Sequence, residues 1–207
     1  VFLTKFDSEG NVIFSRLLGA ADSAEAFDIK VDSQDNVIIA GATANSLSDS
    51  DVVNSESDAF VVKISKRGDE VFRYQLDTFG ETVAHSIAID SNDDIYVGGS
   101  TSSAISSTSG FAGGDDALIL KLNGATGALT DSTVFGASGN DVIKGLALDD
   151  NNDLIVAVEG SSIASVYRLS GSDLTNQTAS VSLGALGNSG GIESIAIDTA
   201  NNRVYVA

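Results

Sequence analysis

Two short segments present oxygen atoms at the spacing of a calcium loop. Asp90-Ser91-Asn92-Asp93-Asp94 and Asp149-Asp150-Asn151-Asn152-Asp153 place side-chain oxygens at alternate positions, which makes Asp90, Asn92, Asp94, Asp149, Asn151 and Asp153 the candidate calcium ligands. A hard cation of that size takes roughly six to eight oxygens. Asp32, Gln34 and Asn36 form a weaker copy. The segments lack a glycine at the sixth position and a later acidic ligand. Asp and Asn also build tight turns by bonding their own backbone, and that competing reading explains the same residues. No cofactor is certain at this stage, and calcium is the one to test.

Other chemistries have less behind them. His85 is the single histidine, at the edge of an apolar run, without a second histidine or a nucleophile motif to work with. A structural role is expected for it. No Gly-x-Ser-x-Gly elbow occurs. Gly113-Gly114-Asp115-Asp116 is a flexible loop without the lysine of a phosphate-binding loop. Carboxylates are too numerous to single out a glycosidase pair. The expectation is a protein that is not an enzyme.

The elements that must carry these residues are visible as an internal repeat. Phe27 to Asp32 recurs as Ser86 to Asp90, Gly145 to Asp149 and Ser194 to Asp198, and the closing aspartates lie 58, 59 and 49 residues apart. After each comes a polar turn and a second apolar run: Val37 to Ala40, Ile95 to Gly98, Leu154 to Ala157 and Val204 to Ala207. A third run carries a basic residue in register: Lys5, Lys63, Lys121 and Arg168. The fourth runs are Val12 to Phe14, Val71 to Tyr74, Leu129 to Val134 and Ala179 to Leu183, and the units close on Leu18-Gly19, Phe79-Gly80, Phe135-Gly136 and Leu183-Gly184. Short runs rich in β-branched residues and bounded by Gly, Asn, Asp or Ser are strands and turns. No stretch sustains a 3.6-residue period, so little or no helix is expected.

Four short antiparallel strands per unit of about 50 residues make the blade of a β-propeller. The fold class is therefore all-β: one propeller region over 1–207, with repeat units near 1–41, 58–99, 116–158 and 164–207. The runs are apolar on both faces because neighbouring blades sandwich each sheet. Ala88, Ala147 and Ala196 mark the crowded innermost strand. In that phase the chain opens on two outer strands, continues through three full blades and ends on two inner strands. The halves could close a four-bladed ring; the expectation favours a segment of a larger ring of six to eight blades.

Leu3 to Asp7, Gly10-Asn11, Ile87 to Asp90 and Tyr96 to Gly98, with their equivalents, resemble the SBBP repeats of seven-bladed bacterial β-propellers. The pattern departs from that family where Asp35, Asp93, Asn152 and Asn201 replace the turn glycine, and where the chain has no proline. Asp and Asn tolerate left-handed backbone, so the turns survive. The resemblance implies a scaffold or binding module, secreted or on a bacterial cell surface.

Charge and composition narrow the partners. The net charge of −18 repels phosphate backbones and anionic lipid, which excludes nucleic acid as a partner. The chain lacks cysteine, and no apolar run reaches the roughly 20 residues of a membrane-spanning helix, so membrane insertion is not expected. It begins at Val1 inside an apolar run, as a piece of a longer protein would. The repeated Lys5/Lys63/Lys121/Arg168 position is either a ring of cations for an anionic ligand or a set of ion pairs, with Asp58 and Asp116 as example partners. The function expected is a structural, adhesive or interaction module of a secreted or surface-exposed bacterial protein, meeting protein or glycan at the cell surface or assembling with itself. The alternative is a calcium-dependent glycan- or protein-binding propeller. A propeller hydrolase or lyase comes last.

Overall fold

The computed structural model describes residues 1–18, 24–44, 56–105, 110–185, 191–201 and 203–207. Among these residues, sixteen strands form five antiparallel sheets. β1 (Phe2–Phe6) and β2 (Val12–Leu17) pair alone. Three four-stranded sheets follow: β3 (Ala24–Val31), β4 (Val37–Thr43), β5 (Asp58–Ile64) and β6 (Glu70–Gln75); β7 (Thr82–Ile89), β8 (Ile95–Thr101), β9 (Asp116–Leu122) and β10 (Leu129–Phe135); β11 (Asp141–Leu148), β12 (Leu154–Gly160), β13 (Ile163–Ser170) and β14 (Asp173–Ala185). The last sheet is β15 (Ile195–Asp198) with β16 (Arg203–Val206). Each complete sheet is an up-and-down meander, the form of a propeller blade. β3, β7, β11 and β15 touch in succession, so they are the converging inner strands.

The phase read from the repeat is the phase found: an outer pair, three complete blades, an inner pair. The two terminal pairs are separate sheets, so a four-bladed ring does not close. The helical element among the described residues is one 3-10 turn, Thr199–Asn201.

Side chains on a strand alternate between faces, and both faces of these blades are covered. On β5, Phe60, Val62 and Ile64 join Leu3 and Leu18 of the β1–β2 side, while Ala59 and Val61 join Ile87, Val97, Leu118 and Leu120 of the second blade. Ala88, Tyr96 and Ile119 then pack on Ile143, Leu146 and Val156 of the third. This is why strands β4, β5, β8 and β9 read as continuous apolar runs.

Several strands run further than the apolar runs read from the sequence: β3, β7 and β11 start three to four residues earlier, at Ala24, Thr82 and Asp141, and β4, β8 and β12 end three residues later, at Thr43, Thr101 and Gly160. β14 starts at Asp173 rather than Ala179, because Gln177 and Asp173 still pair with Leu169 and Ser170 of β13 across register shifts at Arg168/Leu169 and Leu169/Ser170. β2 extends to Leu17, where Phe2 pairs opposite. Gly19 of the first closing pair, and residues 45–55 and 106–109 of the Ser/Thr/Gly loops, lie outside the described residues.

Candidate functional site

The Asp/Asn segments form the turns between the first and second strands of each blade, and their oxygens are engaged there. Asp90 Oδ1 accepts the amides of Asn92 and Asp94 at 2.8 and 3.0 Å. Asp149 Oδ1 accepts those of Asn151 and Asp153 at 2.8 and 3.0 Å. Asp32 Oδ1 repeats the pattern with Gln34 and Asn36. Asp35, Asp93 and Asn152 hold the left-handed position at φ of 65°, 64° and 60°, where the family pattern has glycine. Asn92 and Asn151 are exposed. Successive turns lie side by side on one face: Ser33 donates to both oxygens of Asp93, holding that carboxyl below its ordinary range, and Asn152 Nδ2 meets Ser91 Oγ at 3.1 Å. Among the described residues no group of three His, Asp or Glu side chains converges as a metal site.

Three of the four repeated cations, Lys63, Lys121 and Arg168, lie beneath these turns as ion pairs. Lys63 Nζ is 2.7 Å from Asp32 Oδ2, both side chains buried, and it donates to the Gly124 carbonyl of the next blade at 2.6 Å. Lys121 reaches Asp94 at 3.8 Å and the Gly171 carbonyl of the next blade at 3.0 Å, and it stands 4.8 Å over the Tyr96 ring. Burial lowers the affinity of Lys121 for its proton, but Tyr96, Asp94 and Asp90 outweigh it and raise its pKa. Arg168 pairs with Asp149 and, at 3.0 Å, Asp153. Asp58 and Asp116, named above as example partners, do not take this role. They begin the same strands as Lys63 and Lys121, five residues and so about 16 Å away. Asp58 instead accepts Gln75 Nε2 and the Thr78 amide, and burial raises its pKa. Asp116 Oδ2 accepts the amides of Ala112 and Gly113.

The inner strands share one irregularity at a single repeat position. The pairing of the first two strands shifts by one residue at Ala26/Asp28, Ala84/Ser86 and Ile143/Gly145. The extra residues are Phe27, His85 and Lys144, at one repeat position on three neighbouring inner strands. A bulge re-aims a side chain. Phe27 and His85 meet with ring centroids 5.2 Å apart. Burial, with Lys144 adding to it, keeps the His85 pKa below the ordinary histidine range. The residue after each of the first two bulges ties adjacent blades: Asp28 Oδ2 accepts the Ile87 amide at 2.8 Å, and Ser86 Oγ accepts the Leu146 amide at 3.1 Å.

Residues 72–105 match the family model described as SBBP, beta-propeller repeat. Regulatory protein FlaEY of Caulobacter vibrioides is 29% identical over 175 residues, which is 77% of this chain and 18% of that protein. Among solved structures, the Dos1 propeller superposes with a TM-score of 0.61 at 12% identity, over 99% of this chain and 47% of its own. A Bacteroides caccae protein of unknown function gives 0.57 at 12% identity, over 100% and 64%. The extracellular domain of the putative one component system BT4673 of B. thetaiotaomicron gives 0.52 at 14% identity, over 96% and 22%. The chain thus spans less than a fifth of its curated relative and less than two thirds of each of the first two structures. It carries an SBBP β-propeller repeat within an all-β propeller of four-stranded blades.

Proposed function

We propose that this chain is a non-catalytic interaction module of a secreted or surface-exposed bacterial protein, contacting protein or glycan through its turn and loop rims. The observation that carries this reading is the fate of the repeated charges. Lys63, Lys121 and Arg168 are engaged by carboxylates of their own blades, and Asp32, Asp90 and Asp149 by their own turns. The repeat uses its charge to join strands and blades. What varies between the units is the loops, where binding residues concentrate on rigid scaffolds. The extracellular domain of a one component system among the similar structures is consistent with a place outside the cell.

The test presents the immobilised chain to a glycan array and to intact bacterial cells. Saturable retention, lost when the 102–115 loop is replaced by glycine and serine, supports the reading. No retention of any glycan or cell, or turnover of a polysaccharide or ester substrate, overturns it. A calcium-dependent mode at Asp90, Asn92, Asp94, Asp149, Asn151 and Asp153 would have to draw Asp149 and Asp153 away from Arg168 and the carboxylates away from their turn amides.

A further inference from the structure

We propose that Asp116 and Asp141 form a cation site at the boundary between the second and third blades, for a hard divalent ion of the calcium class. It lies at the opposite end of the strands from the Asp/Asn turns. It stands apart from what the module binds.

The two residues open neighbouring elements. Asp116 is the first residue of β9 and Asp141 the first of β11, and the Asp141 amide donates to the Asp115 carbonyl at 2.6 Å. Asp116 is fully buried. Its Oδ2 accepts the Ala112 and Gly113 amides at 2.8 and 3.2 Å, and its Oδ1 has no partner. That oxygen and Asp141 Oδ2 converge on one point: a Cβ added to Gly136 would lie 2.0 Å from the first and 2.9 Å from the second. A residue without a side chain keeps the point open. Among the described residues, no lysine or arginine pairs with either carboxylate. A buried charge requires a partner, and here the chain supplies none.

The preceding boundary solves the same problem with hydrogen bonds. Asp58 and Thr82 hold the positions of Asp116 and Asp141, as the first residues of β5 and β7. Asp58 accepts Gln75 Nε2 at 3.2 Å and the Thr78 amide at 3.4 Å, while the Thr82 hydroxyl accepts the Ala59 amide at 2.8 Å. One repeat on, all three partners change. Val134 pairs with Leu118 as Gln75 pairs with Phe60, so the side-chain donor is gone. The Ala137 amide, counterpart of Thr78, turns to Asp141 Oδ2 at 2.7 Å. A carboxylate replaces the hydroxyl. Two donors are withdrawn from one buried acid and a second acid is brought beside it, which is the exchange a cation allows.

The surroundings offer oxygen and a way in. A cavity of about 140 Å³ reaches Asp141, with Ser138, Ser161 and Ser162 in its wall. On the far side of Asp141, its Oδ1 and the Ile163 carbonyl oxygen lie 2.8 and 2.9 Å from where a Gly160 Cβ would stand. Carboxylate, carbonyl and hydroxyl oxygens suit calcium or magnesium, whereas zinc and copper favour nitrogen and sulfur, and the chain has no cysteine. Irregular connections carrying Gly113, Gly136 and Gly139 fit the adaptable shell of calcium better than the strict octahedron of magnesium. Because only two acidic side chains meet here, the affinity belongs with that of extracellular calcium modules, roughly 10⁻⁴–10⁻³ M.

The test is isothermal titration calorimetry of the whole chain with calcium chloride, after treatment with chelator. Binding in that range is expected. Asp141→Thr copies the preceding boundary, where Thr82 is buried in the same place, so the fold should survive it. It should weaken binding by about tenfold or more, as should Asp116→Asn, since affinity follows the charge of the ligand set. Melting curves give a second reading: calcium should raise the Tm of the wild type and leave that of Asp141→Thr where it stands. Far-ultraviolet circular dichroism of each variant separates loss of the ion from loss of fold. No binding at millimolar calcium overturns the proposal. So does equal affinity in the wild type and both folded variants, which would put the ion elsewhere, at the Asp/Asn turns.

Discussion

Replacing Lys63 by methionine should destabilise the protein by about 3 kcal/mol, and the same replacement at Arg168 by about 0–1 kcal/mol. The two residues hold one repeat position, and the difference follows from burial. The Lys63 and Asp32 side chains are 4% and 0% exposed, whereas that of Arg168 is 38% exposed. Removing one member of a buried pair leaves an uncompensated charge and costs about 3–5 kcal/mol. Asp32 keeps the amides of Gln34 and Asn36 and the Asn36 side chain, which places the loss at the lower end. Urea unfolding reads it as a midpoint lowered by about 1 M at unchanged slope. Acid supplies a second readout. Burial pushes the Asp32 carboxyl up, but Lys63, Asn36 and the Gln34 amide together hold it below its ordinary range. A carboxyl so lowered contributes stability that is full above its unfolded value, about 3.9, and is lost as pH falls through the folded value. The gap between wild type and Lys63→Met should therefore narrow as pH falls below about 4. Equal midpoint losses for Lys63→Met and Arg168→Met, or a gap insensitive to acid, would refute the reasoning.

Lys144→Met should raise the pKa of His85, read without assignment work from the single histidine in the proton NMR spectrum. Because that pKa is lowered in the folded state, its contribution to stability is full above about 6.5 and lost as pH falls below it, and Lys144→Met should soften that loss. Gly98→Ala should cost about 1–3 kcal/mol by thermal or urea unfolding, since a Cβ there would lie 2.6 Å from Ile143 Cγ2 and 2.9 Å from Leu146 at the boundary between the second and third blades. Asp90→Ala removes two turn bonds and should cost about 1–3 kcal/mol alike in calcium and in chelator. A melting temperature that rises with millimolar calcium in the wild type but not in that variant would favour the ion-binding reading.

The repeat phase was legible because each strand is short, apolar on both faces and punctuated by Asp, Asn or Gly, so even the half-blades at the two ends could be told apart. The turn aspartates were legible as residue types but not as roles: Asp90 in a calcium loop and Asp90 in a self-bonded turn have the same sequence. The partners of Lys63 and Lys121 were not. Sequence proximity suggested Asp58 and Asp116, but a strand of seven residues carries its two ends to opposite rims, and the partners come from the neighbouring turns at Asp32 and Asp94. The bulges at Phe27, His85 and Lys144 needed pairing information, because one extra residue is visible only against the strand opposite.

The bonds that follow those bulges grade the chain's response to a pulling force. Between the first and second blades the tie is a carboxylate, Asp28 on the Ile87 amide. Between the second and third it is a hydroxyl, Ser86 on the Leu146 amide. At the third boundary the same position is Gly145, which has no side chain to offer and packs directly on Ile195. Tension applied across the ends should peel β15–β16 away first and leave the first two blades joined longest, so the order of extension events is written into three successive residues of one repeat position.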